Sequence, residues 1–184
     1  MNPIFLRNVP PPLETFDHVA LLEFFASWIK PERYLELGVR DGRCFTRIQP
    51  HCSLAISVDM APVPVSPASN IEIHQMTTDA YLEYARNENL QFDMVFIDAD
   101  HSYEQSYQDF INVKDLVIED GFIFFHDTYP YAEYMLDPTM SHDCYKTPLQ
   151  IKKQFSKQFE VVTLPFNPGV TICKKVASKD LPWM

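Results

Sequence analysis

The sequence predicts an α/β fold, with seven strands in a mainly parallel sheet covered on both faces and helices between the first five. Three observations predict it. Short apolar runs at 33–37, 54–58, 71–75, 92–97 and 122–125 alternate with segments of helical character, the pattern of strand–helix–strand units. Two final runs, VVTL at 161–164 and VTIC at 170–173, flank Pro165, Asn167, Pro168 and Gly169 and read as a closing antiparallel pair. The runs ending at Ile97 and Phe125 each stop at acidic and histidine residues, and a parallel sheet collects its ligands beyond the carboxyl ends of its strands.

The 184 residues suit one domain over 15–184, preceded by an extended arm at 1–14, where Pro3 and Pro10 to Pro12 exclude regular structure. Such an arm can reach a neighbouring subunit of a homo-oligomer. A formal net charge of -10 argues against nucleic acid or an anionic membrane as partner, since both need clustered Lys and Arg. A small-molecule substrate fits better. No apolar run approaches the ~20 residues that span a bilayer. The four cysteines, Cys44, Cys52, Cys144 and Cys173, have no Cys-x-x-Cys spacing, and the chain opens without a signal-like segment. They read as reduced thiols of a cytoplasmic protein.

Taken in order, Thr15 or Asp17 can cap a first helix in which Phe16, Ala20, Phe24 and Trp28, joined by Val19, Leu22 and Ala26, recur at helical spacing up to Pro31. RYLEL (33–37) is the first strand, Gly38 to Gly42 a loop, and CFTRI (44–48) a short helix stopping before Pro50. LAISV (54–58) ends at Asp59, a proline-rich loop follows, and IEIHQ (71–75) alternates like a strand. Thr77 or Thr78 caps a helix to about Asn89. After strand 92–97, the segment 102–118 places Tyr103, Tyr107, Phe110, Ile111 and Val117 on one helical face, and Gly121 precedes the strand FIFF. Residues 128–146, rich in Tyr, lack periodicity and read as a substrate lid or a surface loop. Thr147 before Pro148 predicts a helix start, with Ile151, Phe155 and Phe159 on one face.

The chemistry gathers at strand ends. Glu36 lies near the end of the first strand, Gly38 permits a sharp turn, and Gly42 lets the next helix start close to a bound group. Asp59 closes the second strand, roughly 20 residues on, where nucleotide-binding folds grip a ribose diol. Two acids so placed point to a nucleoside. A nicotinamide-dependent oxidoreductase is disfavoured because Gly-x-Gly-x-x-Gly is absent.

The runs ELGVRDG and FIDADHSYE, with Asp59 and the later HD, resemble the class I S-adenosylmethionine-dependent methyltransferases. Within that class they are most similar to the metal-assisted macrocin O-methyltransferase and cephalosporin hydroxylase type, over about residues 33–175. The resemblance implies a Rossmann-like seven-stranded sheet with an antiparallel last strand and methylation of a small hydroxylated, sugar-like acceptor. It also implies that Glu36, Gly38 and Gly42 hold the methionine end of the cofactor, Asp59 the ribose, Met60 the adenine face and Asp79 its amino group. Asp79 equally suits a helix start. Arg40 stands where the related pattern has its middle glycine.

Asp98 lies a strand–helix–strand distance before His126, so these strands are neighbours, and Asp98, His126 and Asp127 can converge on one cation. Mg²⁺ takes oxygen donors, whereas an imidazole admits Mn²⁺ and other transition metals. Asp98 also borders the cofactor side. The resemblance places a general base at His101, and a near-neutral imidazole suits removal of a hydroxyl proton; as a bland alternative, His101 and Ser102 merely start a helix. Asp100 stabilises that helix's positive end. A methyltransferase-like binding module without activity is the alternative to an enzyme.

Overall fold

A computed structural model of the chain describes residues 17–165 and 168–177. The arm expected at 1–14, the cap Thr15, Phe16 and Asn167 lie outside the described residues. Helix α1 (His18–Ile29) leads into β1 (Arg33–Leu37), α2 (Arg43–Ile48), β2 (Leu54–Asp59), β3 (Ile71–Gln75), α3 (Thr78–Asn87) and β4 (Phe92–Ile97). Then come α4 (Tyr103–Val113), β5 (Val117–Phe125), α5 (Lys146–Gln154), β6 (Phe159–Leu164) and β7 (Val170–Lys175). The seven strands form one sheet in the order β3-β2-β1-β4-β5-β7-β6. β1 to β5 pair in parallel, and β7 runs antiparallel to both β5 and β6, as the sequence predicts.

Strand alternation divides the core into two layers. Leu35, Leu37, Ile56, Val58, Val95, Ile97 and Phe125 face α3, α4 and α5, where Tyr81, Phe110 and Ile151 are buried. Tyr34, Ala55, Met94, Phe96 and Phe124 face α1 and α2. The order reverses between β1 and β4, which leaves a crevice at their carboxyl ends.

Side-chain caps start three of the helices where the sequence suggests. Asp17 accepts from Ala20 N (3.0 Å), Thr77 from Ala80 N (3.2 Å) and Ser102 from Gln105 N (3.2 Å); each such cap is worth about 1 kcal/mol. Four details differ from the sequence reading. In α1 the buried residues are Val19, Leu21, Leu22 and Ala26, while Phe24 and Trp28 are exposed, because it is Phe25 that packs edge-on against Phe122 and Phe124 of the sheet. α4 stops at Val113, and Val117 instead pairs with Phe92 as the start of a longer β5 whose register shifts before Met94 meets Phe122. Thr147 is no cap: α5 begins at Lys146, and the buried Thr147 hydroxyl lies 2.6 Å from that of Ser106. Phe159 begins β6 rather than ending a helix, yet it still meets Phe110, as does Phe155, with ring centroids 5.3 Å apart in each pair. No described helix is long and apolar enough to cross a membrane.

Candidate active site

The tips of β1, β2 and β4 are sewn together by backbone. Gly38 N donates to Val58 O (2.9 Å) and Asp98 N to Leu37 O (2.8 Å). A Cβ at Gly38 would stand 2.3 Å from the Asp98 carbonyl oxygen, and its φ of +83° is left-handed, so only glycine fits this crossing. On the opposite side of β1 from Leu35 and Leu37, Glu36 is 1% exposed and accepts from the Tyr34 hydroxyl at 2.5 Å. Burial pushes its carboxyl well above the ordinary range, and the Tyr34 hydrogen bond opposes this only in part. No cationic partner for it stands among the described residues.

Asp59 is engaged more fully than a ribose-gripping acid needs to be. Its Oδ2 accepts from Val39 N (2.8 Å) and Arg40 N (2.9 Å), and its Oδ1 from Ala61 N (2.8 Å). Partial burial would raise its pKa, but these backbone donors hold it below the usual value. Arg40 takes a left-handed φ of 51°, the conformation a glycine would adopt freely, and the Asp59 carboxylate secures it there. Asp59 keeps lone pairs for a ligand, since each oxygen can accept twice.

A cavity of about 850 Å³ opens along these tips, lined by Glu36, Gly38, Asp59, Met60, Asp98 and His126 among others. Met60 is 72% exposed, a loose shelf at the rim. Gly42 and its Cβ direction face Val65 rather than the cavity (2.9 Å). Asp79 lines the cavity in the first turn of α3 and accepts from Asn112 Nδ2 (2.9 Å).

At the β4 and β5 ends the two sequence clusters meet. His126 Nδ1 lies 3.0 Å from Asp98 Oδ1 and 3.0 Å from Asp127 Oδ2. His101 Nε2 lies 3.5 Å from the same Asp98 oxygen and 3.3 Å from the same Asp127 oxygen. Ligand atoms of Asp98, His101 and Asp127 all fall within 4.8 Å of one another, so this group can hold a metal ion, with His126 against both carboxylates. The donor set, two carboxylate oxygens with imidazole nitrogens, fits a divalent cation and leans towards those that accept nitrogen.

Without a cation the cluster balances its own charge. The Asp98 hydrogen bond and the Asp127 charge hold the His101 imidazole up at about 9, against the opposing effect of burial. For His126 burial pulls the pKa down, but the two carboxylates outweigh it and keep the ring protonated. Burial would raise the Asp98 pKa, yet the two imidazoles drive it well below the usual carboxylate range. His126 Nε2 is buried and has no hydrogen-bond partner among the described residues.

Residues of 128–146 do not line the cavity; they brace the cluster from behind. The Met140 carbonyl accepts from His101 Nδ1 at 2.5 Å, which fixes the tautomer and turns Nε2 to the carboxylates. The Ser141 hydroxyl donates to Asp127 Oδ1, Asp143 accepts from Tyr103 N (2.7 Å), and Cys144 N donates to the His101 carbonyl (2.9 Å). Asp127 itself sits at a left-handed φ of 58°. Tyr131 and Tyr134, expected on a lid, bond each other through their hydroxyls (2.7 Å). Asp100 accepts from Ser102 N (2.7 Å), the local helix-start role expected of it.

A doubly wound sheet whose last strand is antiparallel, with a cavity between acids at the ends of β1, β2 and β4, defines a methyltransferase-type α/β protein. Residues 35–128 match a family model described as a methyltransferase domain, and the chain belongs to that family. Among solved structures, a methyltransferase of Podospora anserina bound to S-adenosylhomocysteine superposes with a TM-score of 0.68 at 16% identity, covering 86% of this chain and 78% of that one. An O-methyltransferase of Bacillus cereus with S-adenosylhomocysteine gives 0.65 at 12% identity, covering 89% and 84%. An O-methyltransferase of Streptomyces achromogenes involved in tomaymycin synthesis, with S-adenosylmethionine, gives 0.65 at 16%, covering 85% and 78%. No curated protein matches the sequence significantly.

Three features escape the sequence reading. His18 follows the cap of α1 and carries no spacing signal, yet its ring lies 4.0 Å from that of His126. It lines the cavity, and burial pulls its pKa down to about 4, so it is neutral. Gln105 reads as one more polar position of an amphipathic helix, but it lines the cavity too. The Met140 carbonyl is backbone, which no residue type reveals.

Proposed function

We propose that the protein is an S-adenosylmethionine-dependent methyltransferase that acts on the hydroxyl of a small, sugar-like acceptor. The observation that carries this is Glu36, a buried carboxyl on the cavity wall without a cation among the described residues, at the strand end beside Gly38. It suits the ammonium of an amino-acid ligand. Asp59 would take the ribose hydroxyls, Gly38 and Gly42 the turn that lets the methionine end approach, Met60 the adenine face and Asp79 its amine, with Asp98 between cofactor and acceptor. S-adenosylmethionine would supply the methyl group, whose bond to sulfur breaks as the acceptor oxygen bonds the carbon, with S-adenosylhomocysteine as the leaving group.

Asp98, His126 and Asp127 would hold a divalent cation, Mg²⁺ or, given the imidazole, Mn²⁺, and in this reading His101, whose Nε2 stands against the same two oxygens, would stay outside the ligand set. Such an ion would orient an acceptor hydroxyl and lower its pKa. His101 is the proposed proton acceptor. With the charge of Asp98 and Asp127 taken up by a cation, its imidazole would no longer be held protonated and would accept at Nε2. Met140 keeps that nitrogen forward. The remaining protein groups position the reactants, which is the main requirement of an in-line transfer.

Calorimetric titration with S-adenosylmethionine and S-adenosylhomocysteine tests the reading, and binding of neither would end it. Transfer of labelled methyl groups across a panel of sugar-like acceptors, with and without Mn²⁺, then tests the reaction. Activity is expected in the wild type and a large loss in His101→Ala and Asp98→Asn; equal turnover in all three would remove the proposed site.

A further inference from the structure

We infer that Gln105 reads the exocyclic amine of the cofactor's adenine and that Asp109 is the positioning residue that aims its amide. This rests on the adenosyl-cofactor reading above. Gln105 stands in the first turn of α4 and lines the cavity together with Thr78 and Asp79 from the start of α3. Behind it, Asp109 is fully buried.

The hydrogen bonds fix which end of the amide faces the ligand. Thr78 donates its hydroxyl to Asp109 Oδ1 at 2.7 Å. Gln105 Nε2 donates to the same Oδ1 at 3.0 Å and approaches Thr78 Oγ1 at 3.3 Å. Asp109 Oδ1 can only accept in this arrangement, and the Thr78 hydrogen is already spent on it. The amide nitrogen must therefore point inward, since a flipped amide would set its oxygen against two acceptors. Oε1 is left with no donor among the described residues, on a side chain at the cavity wall. An oxygen so placed accepts from a ligand N–H.

Adenine offers two N–H donors on one amine. Asp79 has one oxygen occupied by Asn112 and can take one of them; Gln105 Oε1 takes the other. The consequence is selectivity for adenosine over inosine nucleosides, whose six-position bears a carbonyl that would face Oε1 with like charge. A site built around a hydrogen bond rejects the analogue lacking it more strongly than an apolar pocket can.

The test compares S-adenosylhomocysteine with S-inosylhomocysteine by calorimetry on the full chain, with thermal melts of every variant. The wild type should prefer the adenosyl compound. Gln105→Ala, a partly exposed position, and Asp109→Leu should each lower that preference by roughly tenfold. Asp109→Asn keeps an oxygen at Oδ1 and should retain it. Unchanged preference in Gln105→Ala and Asp109→Leu overturns the inference while leaving the cofactor reading intact. Equal weakening of both compounds in Asp109→Leu overturns the positioning role and reduces Asp109 to a staple between α3 and α4. A wild type that binds neither compound overturns the cofactor reading itself.

Discussion

His126 Nδ1 stands 3.0 Å from a carboxylate oxygen of Asp98 and equally 3.0 Å from one of Asp127, so its imidazole bridges two acids brought in by adjacent strands, with His101 against the same two oxygens. Removing it leaves His101 alone to balance two negative charges, Asp127 buried and Asp98 partly so. His126→Ala should therefore lose about 3 kcal/mol of stability in chelator-treated protein, the scale seen when one partner of a buried ion pair is deleted. Urea unfolding measures this. Millimolar Mn²⁺ should restore part of the loss, because a cation can take over the neutralising role, and a variant as stable as the wild type would show that the cluster carries no charge strain.

Gly38 makes a second, sharper claim. Its φ of +83° is left-handed, and a Cβ placed there would come within 2.3 Å of the Asp98 carbonyl oxygen, so strain and a backbone clash combine. Gly38→Ala should cost about 3 kcal/mol or more, and it should weaken S-adenosylhomocysteine binding beyond what its stability explains. Gly42→Ala is expected to be milder: its φ of +73° is also left-handed, but the contact is with a Val65 methyl that can move. Calorimetry on both variants separates the two cases.

A pH dependence follows from Asp109. Burial pushes its carboxyl up to about 6, only partly opposed by Thr78 and Gln105, and the charges of Asp79 and Asp100 add to the rise. In the unfolded chain the same group titrates near 3.8. The folded state therefore binds the proton more tightly. Its stabilising contribution is complete below the unfolded value and is lost as pH rises through about 6, by about 3 kcal/mol in total. Asp109→Asn should flatten the stability profile between those two pH values and be the more stable protein above them. Denaturant midpoints across that range decide it.

The sheet was legible because each buried strand is a short apolar run, and the caps Asp17, Thr77 and Ser102 were legible because capping is local chemistry. The buried face of α1 was not. Phe24 and Trp28 form the more hydrophobic stripe, but the sheet accepts Val19, Leu22 and Ala26, and which face docks is decided by the partner surface. The start of β5 was hidden for a similar reason: Val117 suits a helix face and a strand equally, and its pairing with Phe92 depends on a distant segment. At the site, acids at strand ends announced themselves by position. His18 and the Met140 carbonyl did not, since each reaches the cluster through tertiary packing alone.

Glu36 gives the last prediction, and it bears on how the cofactor would be held. Burial keeps its carboxyl protonated to a higher pH than usual, with the Tyr34 hydroxyl donating to Oε2. An ammonium group arriving beside it favours the ionised form, so binding of S-adenosylhomocysteine should release a proton from this carboxyl. The sign is set by the raised pKa: below it the free protein must lose a proton to bind, so affinity climbs as pH rises and levels off once Glu36 is already ionised. Calorimetric heats in two buffers of different ionisation enthalpy should differ for the wild type at mildly acidic pH. In Glu36→Gln they should coincide, and the affinity should fall by roughly 30-fold, about 2 kcal/mol for a hydrogen bond to a charged group. Coinciding heats in the wild type would mean that the ammonium is met by another acid, and Asp98, already ionised by its two imidazoles, is the one within reach of the same cavity.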